Sequence, residues 1–105
     1  MGTCYGKTMR IVAKRTLREF WKVHADAEQP LRTWYTHAKA AKWQGPADIR
    51  SMFRAADFVA GNRVIFDIGG NKYRLIGKVN YRRRVVFIRF IGTHKDDDRI
   101  DPETV

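Results

Sequence analysis

The spacing of hydrophobic residues along the chain changes near Asn62, from every three or four positions to every second position. The first spacing is that of one face of an α-helix, and the second is that of one face of a β-strand. The pattern therefore predicts helices in the first part of the chain and strands in the second. Met9–Ala13 is a candidate for a short first strand ahead of the helices.

Three helices are predicted ahead of the later strands. In the first, Thr16 suits the N-cap and Glu19 follows three residues on, as in a capping box. Asp26 is predicted to cap the second helix, which ends near Lys42, and Asp48 begins a short third helix. The residues predicted on their apolar faces are Leu17, Phe20, Trp21 and His24, then Leu31, Trp34, Tyr35, Ala38 and Ala41, then Ile49, Met52 and Phe53.

Three strands are predicted at Val64–Gly69, Lys72–Asn80 and Arg84–Thr93. Gly69-Gly70-Asn71 predicts a tight turn between the first two, since glycine readily adopts a positive φ. Strict alternation would place one set of side chains on a single face of the last strand, namely Val85, Phe87, Arg89 and Ile91. The order of elements predicts an α+β fold, with helices on one face of a mostly antiparallel sheet of three to four strands and the other face partly open.

The length of 105 residues and the hydrophobic content of 44% predict one domain with a modest core. We assign residues 9–105 to this domain and expect residues 1–8, which carry no hydrophobic pattern, to form a flexible extension. The single cysteine, Cys4, excludes a disulfide within the chain. No run approaches the ~18 apolar residues of a membrane span, and the N-terminus lacks the apolar core of a signal peptide. A cytoplasmic location without membrane contact is therefore expected.

The chain has a net charge of +10 at neutral pH, and this charge is unevenly distributed. Residues 1–94 contain 19 Lys or Arg and 6 Asp or Glu, whereas residues 95–105 contain 2 and 5. A basic body attracts polyanions and releases their counterions on binding, so nucleic acid is the predicted partner. The alternative is a basic surface that serves solubility alone.

Cations occupy alternate positions of the predicted strands, and Lys72, Arg74 and Lys78 are expected on one face. Arg74, in mid-strand, either clamps a phosphate with paired hydrogen bonds or forms an ion pair with Asp67 on the facing strand. His94 lies where the last strand ends. Histidine suits general acid–base catalysis, although a surface or packing role is the alternative for a single one.

Other kinds of site find little support in the sequence. No spacing of His, Cys, Asp or Glu matches a metal site. Asp96-Asp97-Asp98 lacks the flanking ligands of a calcium loop and is expected to be part of a solvated tail. A P-loop, a dinucleotide-binding glycine turn and a nucleophile elbow are also absent from the sequence.

Three segments resemble the HigB toxins of type II toxin–antitoxin modules, which belong to the RelE-like group: Arg10–Trp21, Phe66–Leu75 and Arg89–Lys95. The resemblance extends over nearly the whole chain from Met9. It implies a compact α+β fold and an endoribonuclease (mRNA interferase) that cleaves messenger RNA on the translating ribosome and so inhibits translation. It also implies a bacterial protein neutralised by a HigA-type antitoxin, with operator DNA bound only through that antitoxin. Cleavage is expected to proceed through the 2′-hydroxyl of the RNA, without a metal ion or other cofactor.

The resemblance also implies the site residues. The Gly-Gly-Asn-x-x-Arg turn gives Asn71 for orienting the site and Arg74 for phosphate stabilisation, and the Thr-His end gives His94 for proton transfer or substrate positioning. Positive charge fixed in place ahead of the reaction suits the charged phosphorane that forms during cleavage. The cations expected to contact RNA are Lys72, Lys78, Arg82, Arg83, Arg84, Arg89 and Lys95.

One position departs from the family pattern. Where the family typically places a Tyr after the Thr-His pair, this chain has Asp97, which cannot stack on a base and whose charge would repel phosphate. Two functions therefore stay open: an endoribonuclease whose activity is expected to be reduced by Asp97, and an inactive RNA- or ribosome-binding protein on the same fold. A DNA-binding module is disfavoured because the sequence has no helix-turn-helix pattern.

Overall fold

The computed structural model describes residues 8–70, 72–97, 99–102 and 105, and it describes His94 and Asp97 by their backbone only. Apart from Thr8, the expected flexible extension lies outside the described residues. The elements in chain order are β1 (Arg10–Val12), α1 (Lys14–Val23), a 3₁₀ turn (Ala25–Ala27), α2 (Glu28–Ala40), α3 (Pro46–Met52), β2 (Asp57–Val59), β3 (Arg63–Ile68), β4 (Tyr73–Asn80), β5 (Val85–Thr93) and α4 (His94–Asp97). No helix in the described ranges has the length and apolar character needed to cross a membrane.

Within the described residues, the strands form one five-stranded sheet in the order β1-β5-β4-β3-β2. β1 runs parallel to β5, and every other neighbouring pair is antiparallel. The predicted α+β class and the mostly antiparallel sheet are confirmed, with five strands rather than three to four. The unpredicted strand is β2, whose three residues are too few for an alternating pattern to be recognised.

α1, α2 and α3 pack against one face of the sheet around a group of aromatic rings. Trp34 of α2 and Trp43 lie 5.3 and 6.3 Å from the Phe66 ring of β3, measured between ring centroids. Phe53 meets the same ring edge-on at 5.2 Å. Burying each large apolar side chain contributes ~1.5–3 kcal/mol, so this cluster holds α2 and the segment after it to the centre of the sheet.

Three local predictions in the helices are wrong. α1 already begins ahead of Thr16, and Glu19 pairs with Arg15 at 3.0 Å instead of completing a capping box. Asp26 does not cap α2, because its carboxylate binds side chains from the sheet. Met52 is 44% exposed rather than buried, because it is the last residue of the short α3.

A β-bulge interrupts the pairing of β4 with β5. Ile76 pairs with Phe90, but the next residue, Gly77, pairs with Ile88. Arg89 is therefore an extra residue on β5 without a partner in the register. One extra residue reverses the face that the following side chains occupy.

The reversal makes the predicted strict alternation of the last strand wrong. Ile91 packs against the core, whereas Phe87 lies directly opposite Lys78 on the sheet face away from the helices. This second face, termed the outer face, carries the alternate side chains of β3 and β4 that point away from the core: Arg63, Ile65, Asp67, Arg74, Ile76 and Lys78.

The outer face is partly open, as expected, with an exposed end at Lys78 and Phe87 and a buried centre. Ile65 and Ile76 are buried there, outside the main core cluster. The last residue of the chain reaches the same face, because the Arg63 Nε donates to the carbonyl oxygen of Val105 at 2.8 Å. The Arg89 Nε lies 3.5 Å from the same oxygen.

Candidate functional site

Arg74 and the start of α4 lie at the same end of the sheet. Arg74 pairs with Gly92 of β5, and the neighbouring pair is Tyr73 with Thr93. The backbone of His94 follows directly after Thr93. The structure thus brings positions 74 and 94 together at what is termed the strand-end site (Arg74, Thr93 and His94), while Asn71, the third predicted residue, lies outside the described residues.

Arg74 lies directly opposite Asp67 of β3, and its Nε is 3.0 Å from the Asp67 Oδ1. This is the ion pair that the sequence left open as an alternative to phosphate binding. The two side chains are 24% and 23% exposed, so the pair is partly withdrawn from water and holds the guanidinium in place. A guanidinium carries several N–H donors, so an ion pair with one carboxylate is compatible with contact to a phosphate.

A reciprocal capping box fixes the start of α4. The Asp96 N–H donates to the Thr93 Oγ1 at 3.2 Å, and the Thr93 N–H donates to the Asp96 Oδ2 at 3.1 Å. The hydrogen bond from the Thr93 backbone holds the pKa of the Asp96 carboxyl below its usual value. Sequence reasoning assigned Asp96 to a solvated tail and missed this role, although the spacing Thr-x-x-Asp is the signal of a capping box.

Asp26 binds the first residue of β4 and the turn residue before it, on the helical side of the same end. The Tyr73 hydroxyl donates to the Asp26 Oδ1, and the Lys72 Nζ lies 2.9 Å from the Oδ2. The hydrogen bond from Tyr73, and then that from Lys72, lower the pKa of Asp26. The same bond to Asp26 raises the pKa of Tyr73. The His24 ring stacks on Phe20 at 4.4 Å and meets the Tyr73 ring at 5.5 Å, which completes the cluster.

The predicted placement of Lys72 beside Arg74 and Lys78 on one face is wrong. β4 begins at Tyr73, so Lys72 belongs to the preceding turn, which directs its ammonium group to Asp26. Lys72 and Asp26 are 46 positions apart in the sequence, and no local pattern could have revealed the contact.

Three of the predicted RNA-contact residues come together at the other end of the outer face. Lys78, Arg82 and Arg89 line a groove of about 550 Å³. Among the described residues, none of these three takes part in an ion pair. Sequence reasoning missed the other groove residues that matter here, which are Asn62, Asn80 and Phe87.

The remaining predicted contacts are dispersed. Arg83 and Arg84 lie in the turn between β4 and β5, where the Arg83 N–H donates to the Asn80 Oδ1 at 3.0 Å. Lys95 is exposed on α4. In the ranges that the structure describes, no three His, Cys, Asp or Glu side chains lie close enough together to hold a metal ion.

The fold and the strand-end site together define a small basic α+β domain with candidate functional groups at one end of the interior strands β4 and β5. The sequence profile of the HigB toxin family, described as the RelE-like toxic component of a toxin–antitoxin system, matches residues 27–100. The chain therefore belongs to this family, which confirms the resemblance, and an antitoxin is implied as its partner. It is also similar to the mRNA interferase HigB of Escherichia coli O6:H1, with 26% identity over 94 residues that cover 88% of this chain and 91% of that protein.

Proposed function

We propose that this chain is an endoribonuclease that cleaves messenger RNA on the translating ribosome and so inhibits translation. The observation that carries the proposal is the family match over residues 27–100, which includes the whole strand-end site. A relative with 26% identity that bears the name mRNA interferase supports the same reaction.

The proposed reaction uses the RNA itself as nucleophile. The 2′-hydroxyl oxygen loses its proton and attacks the adjacent phosphorus, and the bond from phosphorus to the 5′-oxygen breaks as that oxygen takes up a proton. The products are a 2′,3′-cyclic phosphate and a 5′-hydroxyl end. In this scheme Arg74 stabilises the phosphorane, His94 transfers a proton or positions the strand, and Asn71 orients the site. The scheme requires no metal ion, because the nucleophile belongs to the substrate.

The partners in the proposal follow from charge. Messenger and ribosomal RNA phosphates are assigned to the cations of the groove, the β4–β5 turn and α4. Those that are exposed are Lys78, Arg82, Arg83, Arg89 and Lys95, and Arg84 is half-buried. Lys72 is the weakest member of the predicted set because Asp26 already holds it. The antitoxin is proposed to be of the HigA type and to connect the toxin to operator DNA.

The direct test is to induce the chain in bacterial cells without an antitoxin and to map messenger 5′ ends over the first minutes. We expect new ends inside translated regions, in phase with codons, which disappear when translation is blocked beforehand. Intact messages with normal growth would reject the nuclease. That result would favour the second candidate, an inactive RNA- or ribosome-binding protein, for which the specific observation is Asp97 at the typical Tyr position.

Arg74→Ala is predicted to lower the cleavage rate by about 100- to 1000-fold, the usual effect of removing one group that stabilises a charged intermediate. Cleavage is measured from the same 5′ ends, and the melting temperature shows whether the variant is folded. Arg15→Ala is the matched control, because it also removes an Arg paired with a carboxylate at 3.0 Å, but on an exposed helix.

The double variant Arg74→Ala/Asp67→Asn separates two causes of a loss. Arg74→Ala alone leaves the Asp67 carboxylate without its ion pair beside the RNA, and the double variant removes that negative charge. If Arg74 acts on the phosphate, the double variant stays inactive. Wild-type cleavage by a folded Arg74→Ala protein, or full recovery in the double variant, would reject the role of Arg74.

A further inference from the structure

Phe87 is 41% exposed on the outer face, in the groove and directly opposite Lys78. The bulge at Arg89 turns this ring away from the core, where strict alternation would have placed it together with Ile91. In the described part of the chain, the ring–ring contacts lie elsewhere and none involves Phe87. An exposed aromatic ring among cations is the arrangement on which proteins stack the bases of single-stranded nucleic acid.

We propose that this groove is a nucleotide-binding subsite for single-stranded RNA, in which Phe87 stacks on a base and Lys78, Arg82 and Arg89 hold the neighbouring phosphates. The inference rests on the proposed function in taking messenger RNA as the strand that enters the groove. Amide side chains from Asn62 and Asn80 also line the groove and offer hydrogen-bonding groups to the edge of a base.

The subsite lies away from the bond that is cut. Arg74 and Lys78 are separated by four steps along β4, or ~13 Å at the rise of a β-strand. This distance is roughly the length of four stacked nucleotides. A strand bound at both places therefore crosses the outer face, and the groove holds a flanking nucleotide rather than the reacting phosphate.

The outer face already holds an oxygen acceptor near the groove. Guanidinium Nε atoms of Arg63 and Arg89, from different strands, converge on the Val105 carbonyl oxygen at 2.8 and 3.5 Å. Arg89 also lines the groove. A phosphate oxygen is an acceptor that carries charge, and guanidinium groups form charge-assisted hydrogen bonds with it.

Charge and shape favour RNA over a protein segment as the occupant. A volume of about 550 Å³ is within the usual range for small ligands, and a nucleotide combines a flat apolar base with a charged phosphate. The groove has a partner for each part, because the Phe87 ring suits the base and the three cations suit the phosphate. An apolar protein segment would use the ring but would leave the cations without a partner.

The test measures binding separately from cleavage. The probe is a fluorescently labelled 2′-O-methyl RNA oligonucleotide, which lacks the attacking hydroxyl, and its affinity for the full chain is measured by anisotropy over a range of salt concentrations. Phe87→Ala is expected to weaken binding by about 5- to 150-fold, the range for losing one base stack. Phe87→Trp, which keeps an aromatic ring at this position, is expected to bind as tightly as the unaltered chain. Val23→Ala is the control, because Val23 is also exposed, at 79%, but lies on α1.

The salt series separates stacking from charge. Phe87→Ala removes no charge, so it should leave the slope of log affinity against log salt unchanged. Lys78→Ala should reduce the magnitude of that slope by about 0.7, the value for one phosphate contact on a single strand. A duplex of the same sequence should bind Phe87→Ala and the unaltered chain equally, because its bases are already stacked.

Two results would overturn the subsite. One is unchanged single-strand affinity in a Phe87→Ala protein with an unaltered melting temperature. The other is a Phe87→Ala protein that loses affinity only for its antitoxin, which would make the groove a protein-binding surface. The proposed function fails independently: Phe87-dependent binding without messenger cleavage in cells would support the subsite and reject the nuclease.

Discussion

At the scale of single residues, three carboxylates govern the cations and the helix start near the strand-end site. Asp67 holds Arg74 and Asp26 holds Lys72, while Asp96 caps α4. Among the described residues, Lys78 and Arg82 of the groove form no ion pair, whereas the Arg89 Nε lies 3.5 Å from the Val105 main-chain oxygen. Carboxylates therefore hold Arg74 and Lys72 near the strand-end site, while no carboxylate side chain in the described residues pairs with the groove cations.

Asp26→Asn is predicted to lower the melting temperature at neutral pH, because the ionised carboxylate accepts the Tyr73 hydroxyl and attracts the Lys72 ammonium group. The pKa of Asp26 in the folded protein lies below its ordinary value of 3.8. The stability that ionised Asp26 adds is therefore fully present above pH 3.8 and is lost as the pH falls through the lower folded-state pKa.

The measurement is the melting temperature of the unaltered chain and of Asp26→Asn across the acid range. The difference between them should be largest near neutral pH and should close in acid. Glu19→Gln, in the exposed pair with Arg15, is the control for a carboxylate without a link to the sheet. A gap of constant size from neutral pH to strong acid would contradict the role given to ionised Asp26.

Asp97→Tyr is predicted to raise the rate of messenger cleavage, because a Tyr can stack on a base or move a proton and because the change removes a charge that repels phosphate. The rate is taken from the appearance of new 5′ ends after induction. Asp98→Tyr is the control, since it removes the same charge one position further on. An equal or lower rate for Asp97→Tyr, or an equal gain for Asp98→Tyr, would count against this account of position 97.

At the scale of elements, the pairing of β4 with β5 determines which β5 side chains lie on the outer face. Gly77 of β4 pairs with Ile88, directly next to the bulge. A Cβ atom added to Gly77 would lie 2.9 Å from the Val86 Cγ1. Val86 is fully buried, so this contact cannot be relieved toward solvent. Gly77→Ala is therefore predicted to lower the free energy of unfolding by ~1–3 kcal/mol, as overpacking in a core usually does. Denaturant unfolding measures the change.

The double variant Gly77→Ala/Val86→Ala checks the cause of that loss. Shortening Val86 removes the methyl group that the new Cβ would meet, so the double variant should be more stable than the sum of the two single losses allows. Strict additivity would show that the cost of Gly77→Ala arises elsewhere in β4.

Local periodicity was sufficient to predict α1, α2, α3 and the three longer strands, because a buried face repeats within each element. It failed where a residue's partner is distant in the sequence. Asp26 has the chemistry of a helix cap, but Tyr73 and Lys72 take its carboxylate. The bulge at Arg89 depends on how two strands pair, and no spacing within β5 reveals it.

For the candidate site, too, the sequence predicted individual residues but not the contacts that depend on strand pairing. Arg74 and His94 were singled out by their positions on the predicted strands, and the family resemblance gave them roles. The pairing of β4 with β5 then brought their positions together. The ion pair of Arg74 with Asp67 was one of two alternatives that the sequence could not separate, since both depend on strand register. Phe87 could not be predicted as a groove residue, because one inserted residue decides which face it occupies.

At the scale of the whole molecule, the sheet divides the protein into a helical side and the outer face. The strand-end site lies at one end of the sheet and the groove lies at the other, ~13 Å along β4 from Arg74. The net charge of +10 favours attraction to RNA, and the two places are where we propose specific contacts.

The parallel pairing of β1 with β5 has a consequence for when the protein can act. β1 is synthesised before the other strands, but its only neighbour in the described sheet is β5, which is synthesised last among them. Contacts between distant segments form late, because the closure of a long loop must precede them. The strand-end site depends on β5, so it cannot assemble while that strand is still being made. The new chain therefore cannot cleave messenger RNA until β5 is complete. Before that point, an antitoxin already in the cell can bind the new chain.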